Sequence, residues 1–290
     1  MKCILSNDNQ HFKQFNLKIY IMQKIILFLL FCSSTFAQSP IFVDDIQKMN
    51  DSVFRSVSEY KVIWMGEMHG AKEPALITEG FVNLLLKNNK NVTLALEIPQ
   101  NRIINPNKIQ DSTSLAKSDF FKNGNFGNRS TKSWFNLALK FANEPRVSII
   151  YFDQNIMTGS NTERDSLMAV NLLRDWHQNT TLVVLSGNLH NMLELSSRGQ
   201  KKAALYLSEI SNNSVTKNDI LSLNHLYVKG QIMTSYAGDG LKLTDFDYSK
   251  SVWANDKIHQ KDHLMIFPDL QNGWRGHFFT RLVNVAEIMK

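Results

Sequence analysis

Four short β-rich runs, each followed at once by a residue that can do chemistry, constrain this chain more than its composition does. The runs are Lys61–Met65, Val92–Leu96, Val147–Phe152 and Thr181–Leu185. Helical patterns over Pro74–Lys87, Thr131–Asn143 and Arg164–Gln178 separate them. Apolar runs of this length alternating with helices predict a mostly parallel sheet with helices on both faces, a three-layer α/β sandwich. Weaker strand signals follow at Ala203–Leu207, Leu223–Val228 and Leu264–Phe267. Residues 99–130 are Asn-rich and weakly periodic, and read as an irregular excursion with one short helix near Ser112–Lys122.

In an open parallel sheet all strands end at one edge, and ligands bind at that carboxyl edge. After Met65 comes Gly66-Glu67-Met68-His69-Gly70; after Leu96 comes Glu97; after Phe152 comes Asp153; after Leu185 comes Ser186-Gly187-Asn188-Leu189-His190. Glu67, His69, Glu97, Asp153, Asn188 and His190 are therefore expected to converge. Asp153 taken alone also suits a turn or a helix N-cap. Glu97, flanked by Leu96 and Ile98, needs a partner because an unpaired buried charge is costly; Arg102 and Arg164 are the candidates. His69 and His190 each close a Gly-x-x-His tetrapeptide, in which glycine permits a tight turn and a close approach.

The other histidines carry less. His177 lies near a helix end and His225 in a β-run. His259 and His263 have i, i+4 spacing, but their polar neighbours predict a solvated face. His277 is placed to edge the site from the C-terminus. No Gly-x-Ser-x-Gly elbow, phosphate-cradling loop or His-Glu-x-x-His is present.

Of the 290 residues, 43% are hydrophobic and 20% charged, which excludes a disordered or low-complexity chain. The start reads as a secretory signal: Lys24, the apolar run Ile25–Phe31, then small residues up to Ala37. Cleavage is expected after Ala37, with Met22 as an alternative true start, leaving 38–290 as a single domain. The run is too short for a permanent membrane span, and bulky Phe31 before Cys32 argues against a lipid anchor. Both cysteines, Cys3 and Cys32, fall in this segment, so the mature chain would carry no disulfide. That suits an exported bacterial protein, periplasmic or secreted. Residues 1–37 carry four Lys and one Asp, so half of the net charge of +6 sits there. The rest has no basic stripe for nucleic acid.

Val-Ile-Trp-Met-Gly66-Glu-Met-His69-Gly-Ala-Lys-Glu73, Ala-Leu-Glu97, Arg164-Asp165-Ser-Leu-Met168-Ala169 and Leu-Ser-Gly187-Asn-Leu-His190 together resemble the superfamily of erythromycin esterases, ChaN-like haem-uptake proteins and Tiki/TraB hydrolases. The resemblance covers Lys61 to Asn191, with a further echo at Phe-Phe-Thr-Arg281. The Gly-Glu-x-His-Gly start and Glu73 look like the esterases; Gly-Asn-x-His looks more like ChaN, since the esterases tend to carry a second His where Gly187 stands. The resemblance implies a hydrolase-type site acting on an ester or amide bond of a small-molecule or peptide substrate. In it Glu67, His69, Glu97 and His190 would be catalytic, and Glu73, Asp153, Arg164 and Asn188 supporting. His69, His190 and Glu97 are also the expected ligands of a divalent metal, were one used. The alternative it implies is a non-catalytic protein that binds haem through an exposed His or Tyr. Metal-free and metal-assisted hydrolysis are both open at this point.

Overall fold

A computed structural model describes residues 41–42, 49–106, 111–122, 127–154, 160–236, 240–250 and 257–289. The expected signal segment lies outside them. Strands are β1 (Ile41–Phe42), β2 (Val62–Glu67), β3 (Val92–Pro99), β4 (Val147–Asp153), β5 (Thr181–Gly187), β6 (Ile220–Tyr236), β7 (Gly240–Asp247), β8 (His263–Gln271) and β9 (Trp274–Val283). Helices are α1 (Asp51–Val57), α2 (Glu73–Lys87), α3 (Ser112–Lys117), α4 (Lys132–Phe141), α5 (Asn161–Asp175) and α6 (Ala203–Ile210).

All strands join one nine-stranded sheet in the order β1-β8-β9-β6-β2-β5-β3-β4, with β7 paired to the far half of β6. From β4 to β9 every neighbouring pair is parallel. β8, β1 and β7 are added antiparallel. The four expected strands are thus the contiguous set β2-β5-β3-β4, and their ends point to one edge.

Both faces of that set are buried, which is why its strands read as unbroken apolar runs rather than alternating ones. On one face Ile63, Met65, Leu94, Leu96, Val183 and Leu185 pack with Val53 of α1, Phe81 and Leu85 of α2, and Trp134 and Leu137 of α4. On the other, Val62, Trp64, Ala95, Phe152 and Val184 pack with Met168 and Leu172 of α5 and with Ala204 and Leu207 of α6. The expected three-layer α/β architecture is present. Helix starts follow capping chemistry: Thr131 accepts from the Trp134 amide at 3.4 Å, Ser160 from the Glu163 amide at 3.2 Å, and Pro74 sits in the first turn of α2.

One expected strand is wrong. Ala203–Leu207 is the start of α6, not a β-run. Ala-Ala-Leu-Tyr-Leu consists mostly of strong helix formers, and Ala203, Ala204 and Leu207 share the face that meets the core beside α5. A short apolar run does not separate helix from strand by itself. Leu223–Val228 and Leu264–Phe267 lie inside β6 and β8, while β7 had no sequence reading. Among the described residues no helix is long and apolar enough to cross a membrane.

Candidate active site

Glu67 ends β2, Glu97 lies near the end of β3, Asp153 ends β4 and Gly187 ends β5. The carboxyl edge therefore gathers them as expected, on four adjacent strands. His69 follows in the loop between β2 and α2. That loop is shaped by Gly70, whose φ of +89° suits glycine, and whose Cβ, if present, would lie 2.2 Å from the Met233 carbonyl oxygen. The C-terminal segment clamps the same loop: the Lys72 amide donates to the Asn284 carbonyl at 2.9 Å, and the Ala286 amide to the Gly70 carbonyl at 2.8 Å.

The two histidines meet over Gly187. A Cβ built there would crowd His69 Nε2 at 3.1 Å and touch His190 Cδ2 in ordinary contact at 3.5 Å, so a side chain on β5 would press the His69 ring out of place by a few tenths of an ångström. Each imidazole is held through Nδ1 by a buried carboxylate. His69 Nδ1 is 2.5 Å from Glu67 Oε1, and His190 Nδ1 is 2.6 Å from Asp165 Oδ1. Glu67 Oε2 accepts from the Trp134 indole N–H at 2.9 Å. Asp165 Oδ1 accepts from the Ala203 amide at 3.0 Å, with Lys202 Nζ 3.5 Å from Oδ2. A carboxylate accepts only, so it fixes the Nδ1–H tautomer and turns the Nε2 lone pair outward. Burial pushes the Glu67 carboxyl up from its ordinary range, against the lowering effect of the bonds from His69 and Trp134.

Beside this pair lies a buried charge network. Arg164 donates to Glu97 Oε1 at 2.5 Å and to both Asp153 oxygens at 2.9 Å. Arg129 Nη1 reaches Glu97 Oε1 and Asp153 Oδ2, each at 2.9 Å. Glu97 Oε2 accepts from the Gly187 amide at 2.7 Å. Burial alone would raise the Glu97 carboxyl, but His190, Arg129, His69 and Arg164 together hold it well below the usual range. Arg164 also turns Nη1 towards His190 Nε2, at 3.3 Å, so that nitrogen is engaged. His69 is the more exposed ring, with 27% of its side chain accessible against 15% for His190.

Three expected positions differ in role. Arg102 does not pair with Glu97; it bonds Asp119 at 3.3 Å, and Arg164 takes the Glu97 partnership. The Asn188 side chain serves the sheet, donating to the His225 carbonyl at 3.3 Å and accepting from the His225 amide at 2.9 Å. Glu73, expected as a supporting residue of the site, is tied instead to the C-terminal segment. It is buried, and its Oε1 accepts from the Asn284 amide at 2.9 Å and from Asn284 Nδ2 at 2.7 Å. Burial raises its carboxyl above the ordinary 4.5. The unfolded chain then releases this proton first, so wild-type stability should fall as the pH rises through and above 4.5. Glu73→Gln removes that component. Urea melts should show the stability difference shifting in favour of the variant across this range; a difference independent of pH would contradict the assignment.

Arg129, Asp165 and Trp134 had no assigned role in the sequence reading. The signal for a second cation was present in Glu97 itself, a carboxylate among apolar residues. Arg164→Ala leaves Glu97 and Asp153 in the interior with Arg129 alone. Breaking a buried ion pair costs about 3–5 kcal/mol, and the remaining guanidinium puts the expected loss near the lower figure. Denaturant unfolding should show it, and a loss below about 1 kcal/mol, the range of exposed pairs, would mean the network is solvated.

Fold and geometry define a three-layer α/β protein with paired carboxylate–histidine units at the carboxyl edge of its parallel strands. Among solved structures, a mutant of the erythromycin esterase EreC in its open conformation superimposes with a TM-score of 0.64 at 9% identity, covering 87% of this chain and 100% of that one. A succinoglycan biosynthesis protein superimposes with a TM-score of 0.54 at 10% identity, covering 88% and 97%. The haem-binding ChaN of Campylobacter jejuni gives 0.42 at 14% identity, covering 72% and 98%, a superposition too loose to argue from. The erythromycin-esterase-like fold implied by the sequence motifs is thereby borne out as a fold. No protein-family model matches the chain, and no curated protein does.

Proposed function

We propose that this chain is a hydrolase cleaving an ester or amide bond of a small-molecule or peptide substrate, with His69 as general base. The observation that carries the reading is the Glu67–His69 pair: a buried carboxylate on Nδ1 of a partly exposed ring whose Nε2 lies over the bare backbone of Gly187. An imidazole so held takes a proton from water at neutral pH. As the water oxygen bonds to the substrate carbonyl carbon, its proton passes to His69 Nε2. When the carbon–oxygen or carbon–nitrogen bond breaks, that proton goes to the leaving group. Arg164, whose Nη1 meets His190 Nε2 beside His69, is the cation assigned to the developing oxyanion. Asp165 and His190 act by positioning Arg164. An esterase among the superimposed structures supports the reaction class.

His69, His190 and Glu97 fit poorly as a metal trio. Glu97 Oε1 already accepts from two guanidinium groups and Oε2 from a backbone amide, so a metal would have to displace them. The chain's own groups therefore carry the reaction. The leader before Gln38 would make it an exported, periplasmic enzyme. The test is hydrolysis of a panel of activated esters and peptide amides by the purified chain, with its visible spectrum recorded alongside. Turnover without a Soret band is the expected result. A Soret band with no turnover on any substrate would replace this reading with haem binding.

A further inference from the structure

A second cluster of histidines lies two strands from β2, in a region the hydrolytic site does not use. His263 opens β8 and His277 lies in β9. The antiparallel register sets His263 opposite Phe279 and Met265 opposite His277. Strand alternation puts His263 and His277 on one face as diagonal neighbours. His259 comes to them from the turn Lys257–Gln260 just before β8. The expected solvated face is not found: His263 is fully buried, His277 is 9% exposed, and His277 faces these two rings rather than the hydrolytic site.

We propose that His259, His263 and His277 form a binding site for a divalent transition-metal ion of the zinc class. One ligand nitrogen from each lies within 4.8 Å of the others, and the His263 and His277 Nε2 atoms are 3.1 Å apart. Two imidazoles on a tetrahedral zinc, at about 2.0–2.1 Å each, place their nitrogens about 3.3 Å apart. The pair thus needs almost no movement to share an ion.

The surroundings match a metal site. His263 Nδ1 lies 3.0 Å from the Lys261 carbonyl oxygen. Donation there fixes the tautomer and directs the Nε2 lone pair at the centre, as second-shell acceptors do for metal-bound histidine. Phe279 stacks on His263 at 4.9 Å and lies 4.7 Å from the His259 ring, while Phe267 closes the side of His277 at 5.5 Å. Arg281 anchors the turn, donating from Nη1 to the His259 carbonyl at 3.0 Å and from its amide to Asp262 Oδ1 at 2.8 Å. Three imidazole nitrogens select zinc, copper or nickel over magnesium or calcium, which take oxygen. Bound metal would tie the turn to the β8–β9 hairpin.

The experiment uses the untagged full chain, stripped by chelator and titrated with Co²⁺ as a spectroscopic probe and Zn²⁺ as competitor. One equivalent of Co²⁺ should bind with the visible spectrum of a low-coordinate nitrogen site, and Zn²⁺ should displace it and raise the Tm. His259→Ala, at the half-buried rim, should keep the fold and weaken Co²⁺ binding roughly tenfold or more. His277→Gln should do the same; if it fails to fold, His259→Ala decides alone. His69→Ala should bind Co²⁺ like wild type, so the outcome is separate from that of the hydrolase reading. No stoichiometric binding, wild-type affinity in His259→Ala, or loss of binding in His69→Ala would overturn the proposal.

Discussion

His69→Ala should lower hydrolysis by roughly 10²–10⁴-fold, the usual contribution of a positioned general base, while the protein still folds and melts cooperatively at a somewhat lower temperature. The fold should survive because His69 sits in a loop with a quarter of its side chain accessible, not in either core layer. Its ring packs on Gly187 and bonds Glu67, so truncation opens space at the mouth of the site and leaves no closed cavity. Removing it does leave Glu67 with only the Trp134 donor, a cost confined to one hydrogen bond of about 1–3 kcal/mol. His190→Ala should also reduce turnover, through Arg164, which loses its contact at His190 Nε2. The double variant should lose far less than the product of the two single losses, because groups that act on one transition state are not additive. Unfolding of His69→Ala would make the residue structural. Full activity would remove it from the mechanism.

Much of this site was legible because strand ends are. Glu67, Glu97, Asp153 and Gly187 each follow an apolar run, and a parallel sheet brings such positions to one edge whatever their separation in sequence. The parts that were not legible depend on packing between elements. Asp165 stands one residue past the first turn of α5, where nothing in its neighbours marks it as a histidine partner. Only the return of His190 after β5, 2.6 Å away, makes it a histidine partner. Arg129 follows a stretch with no periodicity, and nothing local ties it to Glu97. Glu73 opens a helix, and its sequence neighbours give no sign that Asn284 comes back from the other end of the chain to bond it. His263 sits among Gln, Lys and Asp, yet strand alternation turns it inward against Phe279. The helix α6 shows the remaining weakness, since an apolar run of five residues fits either period.

Glu67→Gln tests the central claim most directly, because it changes one atom of the site and reverses one proton. The Trp134 indole N–H is a donor only. It already bonds Glu67 Oε2 at 2.9 Å, so the amide introduced by the substitution must turn its oxygen to Trp134. Its NH₂ group then faces His69 Nδ1, which has to become the acceptor. The His69 proton moves to Nε2, and the lone pair needed for catalysis is lost without any change of volume. The same reversal of tautomer at a histidine triad costs about 10⁴ in kcat. The measurement is kcat on the best ester of the panel for wild type and Glu67→Gln, with the protonated nitrogen of His69 read by ¹⁵N NMR in each. A fall of about 10²–10⁴, with the proton on Nδ1 in wild type and on Nε2 in the variant, is the predicted result. Undiminished turnover with the proton on Nε2 would contradict the assignment of His69 as the base.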